Sequence, residues 1–73
     1  MAVYYRFQHE QPRLGEEVHC FTTLDALRGF ARMMKGHDPE FDRMRFWEIN
    51  GTFVRHDEGD VVARVITAKE IRL

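Results

Sequence analysis

The run Arg45-Phe46-Trp47-Glu48-Ile49-Asn50-Gly51-Thr52-Phe53-Val54-Arg55 constrains this chain more than any other stretch. Two segments rich in aromatic and β-branched side chains, which suit a pleated surface, meet at Asn-Gly. A type I′ turn needs positive φ at both central residues, and asparagine and glycine tolerate it best. The sequence therefore predicts a hairpin of strands 44–49 and 52–56 closed by Asn50 and Gly51. In that register Trp47, Ile49 and Val54 share one face, and Phe46, Glu48 and Phe53 share the other. Both faces carry aromatics, and one helix covers only one face. The other is then expected to expose an apolar patch of the kind that marks interfaces, unless loops pack over it and Glu48 reaches Arg45 or Arg55.

The remaining elements follow from periodicity. Val3, Tyr5 and Phe7 alternate with Tyr4, Arg6 and Gln8, a strand pattern over 2–8. Residues 9–17 hold Pro12 and Gly15 and read as a loop; 18–21 form a second short strand. Thr22 is the expected N-cap, which places Asp25 in the first helical turn where the dipole favours a carboxylate. Leu24, Leu27, Phe30, Ala31 and Met34 form one apolar stripe at helical spacing. Gly29 costs about 1 kcal/mol against alanine inside that helix, and close approach to a sheet is one reason for it. Gly36 suits a left-handed cap, and Pro39 blocks continuation. Asp57-Glu58-Gly59-Asp60 reads as a second turn, with Gly59 available for positive φ. A strand follows over 61–67, which 68–73 extends or follows with a short final strand. The expected fold is a small two-layer α+β domain in order ββαβββ, one helix packed on an antiparallel sheet, with 1–73 as a single domain.

Size and charge limit the functions open to such a chain. Its 73 residues bury only about 60% of the surface an unfolded chain of this size exposes, which leaves no room for a cleft between lobes. The net charge of −1 gives no global field toward nucleic acid or anionic membrane. Only Lys35 and Lys69 among the eleven basic residues are lysine. The arginine bias reflects GC-rich codons, or a need for bidentate contacts at an interface. Cys20 is the one cysteine, so no internal disulfide forms. Neither a leader pattern nor an apolar run near the roughly 20 residues of a membrane span appears, and the chain reads as cytoplasmic.

No constellation of residues points to catalysis, metal or cofactor. Glu48 between Trp47 and Ile49 has no second group for acid–base work and reads as structural. His9, His19, His37, His56 and Cys20 lack zinc-ligand spacing, and the adjacent His19 and Cys20 face opposite ways on a strand. The carboxylates of 38–42 lack calcium-loop order. Cys20 reads as a small core residue. The chain contains no serine, and it has neither a phosphate-cradling Gly-rich loop nor a dinucleotide fingerprint.

Three charge features carry the functional expectations. Asp38, Glu40 and Asp42 form one acidic turn and Asp57, Glu58 and Asp60 another. Placed at one end of a sheet, the two turns would imitate a phosphate track and occupy a nucleic-acid-binding protein, with Tyr4 and Trp47 as apolar support. Arg28, Arg32 and Lys35, at i, i+4 and i+7, form a basic stripe on the outer helix face. In size and style the chain resembles small single-domain proteins of phages and mobile elements. The resulting expectation is a non-enzymatic protein-binding module, an inhibitor or regulator acting by surface occlusion, with anti-CRISPR or anti-restriction activity as one concrete form. The alternatives are weak nucleic-acid binding through Arg28, Arg32 and Lys35 with Tyr4 or Phe46 stacking on bases, and self-association into a homodimer through an exposed sheet edge.

Overall fold

A computed structural model describes the backbone of residues 2–57 and 60–73 and the side chains of 3–55 and 61–73. Strand β1 spans Ala2–Gln8, β2 Glu17–Cys20, helix α1 Leu24–Lys35, a 3₁₀ turn Phe41–Arg43, β3 Arg45–Asp57 and β4 Asp60–Ile71. The fold class is the expected one: one helix on an antiparallel sheet, with two strands before the helix and the others after it. The four strands lie in the order β1-β3-β4-β2.

The Asn50-Gly51 hairpin does not form. Both residues lie inside β3, where Asn50 pairs with Thr67 and Gly51 with Val65. Skipping Ile66 makes a bulge in β4, and Val54 is skipped in the same way in β3. Gly51 serves close approach rather than a turn: a Cβ there would sit 2.1 Å from the Arg64 carbonyl oxygen. The three strands expected after the helix are thus two long ones, and the reversal comes where Asp57 pairs with Asp60. The conformations of Glu58 and Gly59 lie outside the described residues. Gly15 is the glycine with positive φ among the described residues, at 84°. It donates its N–H to the Val65 carbonyl at 2.8 Å and so ties the first loop to the bulged part of β4.

Helix α1 forms as the stripe requires, with Leu27 and Ala31 buried and Leu24, Phe30 and Met34 half-buried. Its ends differ in detail. Thr23, not Thr22, is the N-cap: its Oγ1 accepts from the Ala26 N–H at 3.1 Å. Gly36 caps the C-terminus at φ −86°, in right-handed geometry. A Cβ on Gly29 would meet nothing within 4 Å, so this glycine serves no close contact.

Long strands let the sheet curl. Thirteen residues would run about 40 Å if β3 were straight, yet the longest dimension of the molecule is 32 Å. The two bulges supply bends, and the outer strands meet: Tyr5 and Phe21 exchange backbone hydrogen bonds of 3.1 and 2.8 Å. Alternation then sorts the side chains. Tyr4, Val18, Cys20, Trp47, Ile49, Val61, Ala63 and Val65 point inward as one buried cluster. Phe7 and Phe21 point outward, where α1 lies over them, and Phe46 packs against Phe7 and Phe41. Phe30 stacks on Phe7 at 4.5 Å and meets Phe21 at 5.3 Å. The face the helix leaves bare is therefore mostly the lining of the curl, buried at Tyr4, Trp47 and Ile49, while Phe53, 5.8 Å from Tyr4 between ring centres, stays half exposed beside it.

Candidate functional site

Tyr4 and Trp47 are each only 4% exposed, which removes them from any partner surface. They are core residues because the curled sheet closes over the face they share. Burial raises the Tyr4 phenol above its ordinary range, and the neighbouring Cys20 raises it further. Burial likewise pushes the Cys20 thiol up to about 11, against an opposing pull from Arg6. Cys20 is the core residue its strand position suggested, and His19 beside it is exposed on the opposite face. The Trp47 indole N–H is buried and finds no acceptor among the described residues. The Arg45 guanidinium lies 4.9 Å from the centre of its ring. Arg45 also pairs with Glu70 rather than with Glu48.

The acidic turns do not form one track. Asp38, Glu40 and Asp42 precede the start of β3 at Arg45, whereas Asp57 ends that strand and Asp60 opens the next. The two groups flank opposite ends of β3. Asp38 is also occupied locally, its Oδ1 accepting from the Glu40 N–H at 2.8 Å. Glu58, and the side chains of Asp57 and Asp60, lie outside the described residues.

The basic stripe is brought together. Arg28, Arg32 and Lys35 are exposed and line one groove of about 330 Å³ with Ala31, Phe41 and Leu73. Helical spacing accounts for the three cations. Phe41 comes from the 3₁₀ turn and is held by its contact with Phe46, at 6.2 Å between ring centres. Leu73 comes from the segment beyond β4. Sequence periodicity reveals the rim of this groove, but its apolar floor depends on long-range packing. Arg28 has a 3.9 Å contact with Asp25 across a solvent-exposed turn, a pairing of little energetic weight. Among the described residues no carboxylate pairs with Arg32 or Lys35, and no group of three or more metal-ligating side chains gathers.

A second cleft, of about 410 Å³, opens between β1 and β2. It is lined by Arg6, Phe7, His9, His19, Cys20 and Phe21. Among the described residues no helix is long and apolar enough to cross a membrane. No protein-family model, curated protein or solved structure matches this chain.

Proposed function

We propose that this protein is a small non-enzymatic protein-binding module that acts by occupying a partner's surface. The contact is the basic groove of α1, and its occupant is an acidic segment of the partner that also carries an apolar side chain. One observation supports this reading above the others: Arg28, Arg32 and Lys35 converge on a single groove whose apolar lining is Ala31, Phe41 and the partly exposed Leu73. Basic rims select carboxylates, and an apolar floor adds burial that a phosphate backbone does not use. A net charge of −1 gives little of the broad positive field on which nucleic-acid binding depends.

The test is a tagged pull-down from source-cell lysate, with and without nuclease, at low and high salt. Wild type is compared with the double variant Arg28→Glu/Arg32→Glu. The expected result is one dominant protein, kept after nuclease and lost from the variant. Recovery of nucleic acid that nuclease and salt both abolish would move the groove to phosphate contact instead. Equal recovery of the same partner by wild type and variant would overturn the groove as the contact.

A further inference from the structure

We infer that the cleft between β1 and β2 captures an extended, acidic peptide segment of a partner protein as an added strand. This site is separate from the α1 groove and does not rest on it. Tyr5 and Phe21 are joined by two backbone bonds, the only ones between β1 and the segment around β2 among the described residues. Continuing that antiparallel register would pair Phe7 with His19 next. No such pair forms. Tyr5 aims its N–H and C=O at Phe21, so Phe7, two residues on, aims its own the same way. On the facing strand, Phe21 does this toward Tyr5 and His19 follows suit. Two strand edges therefore diverge from one closed bridge, each with hydrogen-bonding groups turned into the gap. Edges of this kind are templates for strand addition.

The lining selects the occupant. Phe7 and Phe21 supply apolar walls, and Cys20 is a buried apolar neighbour. Arg6 and the two histidines supply the polar rim. Arg6 has no carboxylate partner among the described residues. An extended segment reaches such a slot with alternate side chains. Phe30 fills the space between the two phenylalanine rings, so one side chain packs against the edges they turn to the cleft, and a carboxylate meets the Arg6 guanidinium, the group best suited to hold it.

The probes are three short synthetic peptides of alternating valine and glutamate, of alternating valine and lysine, and of the glutamate sequence N-methylated at alternate residues. They are titrated into the ¹⁵N-labelled full chain and followed by amide NMR. The glutamate peptide should give saturable shifts at the Phe7 and His19 amides. The lysine peptide should give none. N-methylation on the bonding edge should abolish the shifts, and Arg6→Gln, on the half-exposed rim, should weaken binding at least tenfold. Absence of saturable shifts, or binding indifferent to N-methylation, would overturn the proposal. Hydrogen exchange in the free protein gives a check that needs no variant. The Phe7 and His19 amides should exchange much faster than those of Tyr5 and Phe21. Equal protection would mean a closed seam and no site. Shifts confined to Arg28, Arg32 and Lys35 would support the α1 groove while refuting this one.

Discussion

Two glycines show how one residue type answers to opposite demands. Gly51 faces a backbone: its missing Cβ would lie 2.1 Å from the Arg64 carbonyl oxygen and 2.9 Å from its carbon. Backbone atoms fixed in a ladder cannot yield as a flexible side-chain tip can. Gly51→Ala should therefore cost about 3 kcal/mol or more, the upper end of overpacking. Gly29 faces open space on an exposed helix position. Gly29→Ala should stabilise by roughly 0.5–1 kcal/mol, because alanine favours the helix and restricts the unfolded chain. Urea midpoints of both variants against wild type decide the matter. Closely similar midpoints would contradict both the bulge at Ile66 and the open space at Gly29.

At the scale of elements, the helix was legible in the sequence and the long strands were not. The helix rests on local terms: the spacing of Leu24, Leu27, Phe30, Ala31 and Met34, and a threonine cap. The cap falls one residue later than expected, at Thr23 rather than Thr22, because the choice between adjacent threonines turns on which hydroxyl reaches an N–H three residues on. Thr23→Ala should cost about 1 kcal/mol as the loss of a real cap, while Thr22→Ala should stay within about 0.5 kcal/mol. The reverse order in thermal melts would return the cap to Thr22. Asn50-Gly51 misled because its turn signal is local while its fate is decided by pairing with β1 on one side and β4 on the other. Register against two neighbours outweighs one turn preference. Tyr4 and Trp47 were misplaced for a related reason. Tyr4 belongs to the mixed side of its strand's alternation, and only pairing with β3 sets it on the face of Trp47; the meeting of Tyr5 with Phe21, far apart in sequence, then turns that face into an interior. The basic rim of the α1 groove was readable from helical spacing, whereas Phe41 and Leu73 beneath it were not.

At the scale of the whole molecule, the curled interior gives stability an alkaline limit. Cys20 and Tyr4 sit inside it, and burial raises both groups above their ordinary ranges. The unfolded thiol releases its proton near 9.0 and the folded thiol only near 11. Above pH 9 the unfolded chain therefore holds fewer protons than the folded one, and stability falls as pH rises. The contribution of Cys20 is intact below that pH and is lost progressively through about pH 11. Tyr4 acts with the same sign from its ordinary value of 10.0 upward. Urea midpoints measured across this range should decline for wild type. In Cys20→Ala the decline should begin later, at the pH where Tyr4 takes over, even though the smaller side chain lowers the midpoint at neutral pH. Every other ionising group is common to both proteins, and the variant also loses the part of the Tyr4 shift that Cys20 causes. Parallel curves, offset but with the same onset, would place Cys20 in contact with water when folded. That result would open the sheet at the β1–β2 seam more widely than the Tyr5–Phe21 bridge allows.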